Sequence, residues 1–158
     1  MNPTIKILPF QAEHQNEIDD MMGSIALEFS EPIFTENSKK MIDVYLMPKN
    51  KFWVATESNK VVGTIGIVKL SNENIVLKSM FVDKKYRGQG TSHLLLDTLE
   101  KWAINNTYKH IYLGTMTQFT GGQRFYEKNG FVKCNKTELP TDFSINPLDT
   151  IFYTKALI

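Results

Sequence analysis

Asp83-Lys84-Lys85-Tyr86-Arg87-Gly88-Gln89-Gly90-Thr91-Ser92 separates a strand-like apolar run, Ile75 to Val82, from a stretch with helical periodicity that starts near Ser92. Two glycines let a backbone turn sharply and bring consecutive N–H groups toward a ligand. A helix beginning there adds unpaired N–H groups and the positive end of its dipole. Together these features suit a pyrophosphate, with Lys84, Lys85 and Arg87 adding charge around it. The same ten residues also fit a basic surface turn leading into a helix. Two common phosphate loops are excluded. No Gly-Lys-Ser/Thr follows, as a P-loop requires, and His93 stands where a dinucleotide fingerprint needs its third glycine.

Working outward, Thr4 to Leu8 alternates as a short strand, and Ile18, Met22, Ile25 and Phe29 recur at helical spacing. Thr35 can cap a second helix with Met41/Tyr45 and Ile42/Leu46 stacked, ended by Pro48. Phe52 to Thr56, Val61 to Leu70 and Ile75 to Val82 are β-branched or aromatic runs joined by short turns, which predicts an antiparallel meander. The helix from Ser92 to Asn105 presents Leu95, Leu99, Trp102 and Ala103 on one face. His110 to Leu113 reads as a strand, and Gly122 to Asn129 as a short helix that Gly130 can close. Phe131 to Cys134 and Ile151 to Ala156 read as final strands. This order mixes antiparallel pairing with one parallel crossover, an α/β (α+β) class with helices flanking a mixed, mostly antiparallel sheet.

The chain's 158 residues fit a single domain, residues 1–158, and its composition is that of a soluble globular protein: 42% hydrophobic and 22% charged. A net charge of +1 argues against a general nucleic-acid binder, and no stacking motif accompanies the basic cluster. A lone cysteine, the absence of a signal-peptide pattern and the absence of a long apolar run lead to the expectation of a cytoplasmic protein without a membrane span. His14, His93 and His110 lack metal-ligand spacing, so no metal is expected.

Arg87-Gly88-Gln89-Gly90-Thr91-Ser92 resembles the Gln/Arg-x-x-Gly-x-Gly/Ala signature of the GNAT superfamily of acetyltransferases. Lys78-Ser79-Met80-Phe81-Val82-Asp83 looks like that family's central strand, and Arg124-Phe125-Tyr126-Glu127-Lys128-Asn129-Gly130-Phe131 matches its late helix and turn. Tyr112-Leu113-Gly114-Thr115-Met116 and Leu139-Pro140 look like an uncharacterised bacterial branch.

The resemblance implies acetyl-CoA as acyl donor and a primary amine, small molecule or peptide, as acceptor. It implies that Met80, Phe81 and Val82 offer backbone groups to the pantetheine arm by strand addition. Arg87, Gly88, Gln89, Gly90, Thr91 and Ser92 then hold the pyrophosphate. An N–H near Phe81 faces the charge that develops on the acyl oxygen. Tyr126 matches the tyrosine that protonates the leaving thiolate; without the resemblance it reads as core. Glu28, Phe29 and Tyr45 fall where family members shape the acceptor pocket, and acidic and aromatic groups there suit a cationic amine. By the same analogy a homodimer is expected through the sheet or its terminal strands.

Several positions depart from the pattern. Ser92 replaces Gly or Ala, Gly122 replaces alanine, and Phe119 stands where many members have a cofactor-holding asparagine, with Gln118 a substitute. Val76 stands where many members carry the glutamate that deprotonates the amine, leaving Glu28, Glu31 and Glu73 as candidates acting through water. Cys134 reads as a small apolar strand residue, which favours direct transfer without an acyl-enzyme. The competing reading is a non-catalytic acyl-CoA-binding regulator or sensor.

Overall fold

The computed structural model describes residues 4–33 and 50–157. Its strands are β1 (Lys6–Pro9), β2 (Asn50–Glu57), β3 (Lys60–Lys69), β4 (Asn74–Val82), β5 (His110–Thr115), β6 (Val132–Cys134) and β7 (Ile151–Ala156). The described helices are α1 (Gln15–Ala26), α2 (Thr91–Asn105) and α3 (Thr120–Lys128). The helix expected between Thr35 and Pro48, with its candidate Tyr45, lies outside the described residues.

The strands form one seven-stranded sheet in the order β1-β2-β3-β4-β5-β7-β6. Every neighbouring pair is antiparallel except β4–β5. Ser58 and Asn59 both hold positive φ (50° and 68°), the backbone pattern that matches a tight hairpin to strand twist. Asn72 and Glu73 do the same between β3 and β4. Parallel strands cannot be joined so tightly, and α2 supplies the crossover from β4 to β5. No described helix is long and apolar enough to cross a membrane.

Alternation along the strands sorts the apolar residues onto two faces. On one, Leu95, Leu99 and Ala103 of α2 are buried with Ile65, Ile67, Ile75 and Ile111, and this cluster takes in Tyr126 of α3. Burying one such leucine is worth about 1.5–3 kcal/mol, so this face anchors α2 against the sheet. On the other face, α1 brings Ile18, Met21, Met22 and Ile25 against Phe52, Val54 and Val61. Beside it, Phe143 from the β6–β7 connection packs with Val76 and Phe152.

The β3–β4 ladder has one irregularity that matters. Thr64 pairs with Phe81 and Gly66 with Lys78, so β4 carries one residue more than β3 across that interval. This is a β-bulge, which bends its strand and adds local twist. Ser79 sits in it with φ 56°, and its carbonyl accepts a 2.7 Å hydrogen bond from the buried Thr64 hydroxyl. Thr64→Val keeps the side-chain volume and removes that donor. A loss of about 1–3 kcal/mol is expected for the unsatisfied carbonyl, read as a drop in Tm of several degrees.

Candidate active site

β4 and β5 pair only at Asn74↔His110, Ile75↔Ile111 and Val76↔Tyr112. Beyond that point β4 stays with β3 as far as Val82, while β5 stays with β7 as far as Thr115. The two strands therefore part, and the remainder of β4 edges an open wedge roughly 20 Å long at ~3.3 Å per residue. Met80 and Phe81 lie half-buried along this stretch, with Val82 buried at its end.

The glycine turn stands at the wide end. Asp83 accepts the Lys85 N–H at 2.9 Å and starts a single turn over Lys84–Tyr86. Gly88 and Gly90 follow with φ of 74° and 89°. A Cβ added at either would meet nothing within 4 Å, so backbone angle rather than crowding demands glycine. Gly90 is the N-cap of α2, and Leu94 is the residue whose N–H reaches back to the Gly90 carbonyl, at 3.1 Å. The N–H groups of Thr91, Ser92 and His93 precede it and lack intrahelical acceptors. The Thr91 hydroxyl is buried without a hydrogen-bond partner among the described residues. A groove of about 370 Å³ runs from this turn to α3, lined by Gly88, Gly90, Ser92 and His93 on one side and Arg124, Phe125 and Lys128 on the other.

Arg87 serves as a fastener. Its Nε donates to the Val82 carbonyl at 2.9 Å, and its two terminal nitrogens reach both oxygens of Glu28 at 2.5 and 2.9 Å. The end of β4, the turn and the segment after α1 are thereby tied together. The cationic side chains lining the groove are instead Arg124 and Lys128, one helical turn apart on α3. Glu28, expected on the acceptor side as ligand or base, has both oxygens engaged.

Three rings close the wedge at this end. Phe119 meets Phe29 edge-on with centroids 4.8 Å apart, and Phe81 at 6.1 Å. The residue in the asparagine's place is thus an aromatic wall. Gln118 does not reach toward the groove. Its amide nitrogen donates to the Glu31 carbonyl at 3.0 Å, and its oxygen accepts the Glu31 N–H at 3.3 Å. Glu73 lies at the closed end of the wedge beside Lys109, and Val76 is sealed among Phe143 and Phe152.

Tyr126 is buried, with the Phe131 and Tyr153 rings at 5.4 and 5.9 Å. Burial first, then the charges of Asp149 and Tyr153, push its phenol far above the ordinary tyrosine range, so it keeps its proton at neutral pH. Asp149 escaped the sequence reading: one acid in a proline-containing loop carries no periodic or motif signal. It stands half-buried against β5, where a Cβ on Gly114 would lie 2.7 Å from its Oδ2. Burial raises its carboxyl above the usual range, with Lys78 on β4 pulling the other way. Among the described residues no group of three His, Cys, Asp or Glu side chains is placed to hold a metal ion.

Residues 18–131 match the acetyltransferase (GNAT) family. An N-acetylaspartate synthetase of Danio rerio is 30% identical over 116 residues, covering 69% of this chain and 40% of that protein. The match thus spans well under two thirds of that relative's length. A GNAT-family acetyltransferase of Staphylococcus aureus Mu50 superposes with TM-score 0.91 at 30% identity, over 98% of this chain and all of that one (100%). A GNAT acetyltransferase of Elizabethkingia anophelis, solved with acetyl-CoA bound, shares the fold at TM-score 0.63 and 24% identity, over 96% and 97% of the two chains.

Gly90→Ala tests the turn. Holding alanine in the left-handed region costs about 1–2 kcal/mol, so Tm is expected to fall by several degrees. Calorimetry of the purified variant checks this.

Proposed function

Because the chain belongs to the acetyltransferase (GNAT) family, we propose that it transfers the acetyl group of acetyl-CoA to a primary amine, by direct attack within a ternary complex. The observation that carries this reading is the parting of β4 from β5 directly before a glycine turn that caps a helix. The site fits the donor. Unpaired N–H groups at the start of α2 suit a pyrophosphate, and the free β4 edge suits an extended amide chain. When bound, acetyl-CoA supplies an acyl group activated as a thioester.

The chain's own residues then divide the work. Backbone from Arg87 to Ser92 holds the pyrophosphate, and Arg124 and Lys128 flank it with positive charge. Backbone groups of Met80, Phe81 and Val82 orient the pantetheine arm. Phe29, Phe81 and Phe119 exclude water from the wide end of the wedge. Tyr126, protonated, gives its proton to the departing sulfur, a step worth roughly 10²–10⁴-fold. Cys134 supports direct transfer: it lies on the edge strand β6, and burial raises its thiol, which disfavours the nucleophilic thiolate. The lone cysteine also suits a reducing, cytoplasmic setting.

Thermal melting with and without acetyl-CoA is the first test. At about a hundred times Kd the ligand adds roughly 2.7 kcal/mol, a rise of several degrees that CoA should reproduce and NAD should not. No rise in folded protein would sink the reading. An amine panel followed by thiol release comes next, with L-aspartate included because of the Danio rerio relative. Acetyl-CoA binding without turnover of any amine would favour the non-catalytic binder. Tyr126→Phe is expected to cut kcat sharply while acetyl-CoA affinity holds; an unchanged kcat would remove Tyr126 from the chemistry.

A further inference from the structure

An alkylammonium with a pKa near ~10 is almost wholly protonated at neutral pH, so a transferase must take a proton before nitrogen can attack. Of the carboxylates named from sequence, one is paired, one is exposed and one is distant. Glu28 is clasped through both oxygens by Arg87. Glu31 is tied through its backbone to Gln118, its residue exposed. Glu73 stands just before β4 at the closed end of the wedge, roughly 30 Å along the chain from Val82 at ~3.3 Å per residue.

Asp149 stands elsewhere. Val76 and Tyr112 form the last β4–β5 pair, and Lys78 and Gly114 are the next residues on that same face, already across the open wedge. The Asp149 carboxylate lies against Gly114 so closely that a Cβ there would be 2.7 Å from Oδ2 and 3.1 Å from Asp149's own Cβ. Phe152, which shares this site at 3.1 Å from the same point, belongs to the face opposite α2 and α3. Tyr126 belongs to the α2–α3 face. An acid and a carboxylate thus flank the wedge from its two sides. Among the described residues, Asp149 forms no ion pair within 4 Å.

We propose, resting on the transferase reading, that Asp149 is the general base that receives the acceptor ammonium's proton, doing from the loop before β7 what Val76 on β4 has no group to do. R–NH₃⁺ gives one proton to an Asp149 oxygen, and the freed lone pair forms the N–C bond. The C–S electron pair leaves with sulfur, which takes the Tyr126 proton. The new amide nitrogen sheds its surplus proton to restore the phenol, and Asp149 returns its own to solvent. Lys78 from β4 and Tyr126 from α3 are the titratable groups that share its surroundings. Half-burial lifts the carboxyl toward the range where a base works near neutral pH.

Carboxyl-detected NMR on the ¹³C-labelled full chain needs no turnover, and the resonance missing from Asp149→Asn identifies Asp149. Its midpoint is expected above the ordinary aspartate range, and butylammonium should lower it, because a cation nearby favours the carboxylate. An ordinary midpoint that butylammonium leaves unmoved would overturn the assignment. In thiol-release assays with butylamine, Asp149→Asn should lower kcat by roughly 10²–10⁴-fold and erase the acid limb of the pH profile, with acetyl-CoA Kd unchanged. The deficit should shrink with aminoacetonitrile, a far weaker base that arrives largely unprotonated. Equal losses with both amines, or an acid limb retained in the variant, would make Asp149 structural and overturn the proposal. Failure of the transferase reading itself is seen separately, as wild-type protein that does not bind acetyl-CoA. If butylamine proves no substrate, the NMR titration decides.

Discussion

The site depends on where one ladder of hydrogen bonds stops. β4 and β5 are parallel neighbours for three residue pairs and then separate, each keeping its antiparallel partner on the other side. A parted pair inside a sheet leaves backbone groups exposed along an internal edge, which is costly unless water or a ligand satisfies them. The bulge at Ser79 bends β4 as the strands part, and Thr64 secures the bulge from β3. The opening is therefore built into strand geometry, and α2 and the surrounding core hold it in place.

Arg87 couples that opening to its surroundings. One guanidinium joins the Val82 carbonyl at the end of β4 to Glu28 beyond α1, across the turn that carries Gly88 and Gly90. The pair is partly exposed, so its contribution is geometric more than energetic. Its bidentate form suits that role, because a planar fork fixes direction as well as distance. The charge facing the groove falls instead to Arg124 and Lys128, placed by the pitch of α3.

Burial raises the proton affinity of two titratable groups near the opening. Tyr126 is held protonated by its apolar surroundings, while Asp149, half-buried against a glycine, retains an accessible carboxyl with a raised affinity for protons. In the proposed mechanism a phenol and a carboxyl on either side of one opening serve as acid and base.

The sequence by itself determined the elements and the turn. Period-two and helical spacing placed the described strands and helices within a few residues, and Ile151 to Ala156 at its observed bounds. Gly88 and Gly90 were legible because positive φ is a local steric matter, and Tyr126 because it sits in a contiguous motif. Only the tertiary structure decided which side chains meet. That Arg87 faces Glu28, that Phe119 fills an aromatic wall, that Gln118 clasps Glu31 and that Asp149 lies on Gly114 all join residues far apart in the chain. Such contacts follow from sheet order and register, which close packing of the whole core sets and which no local pattern encodes.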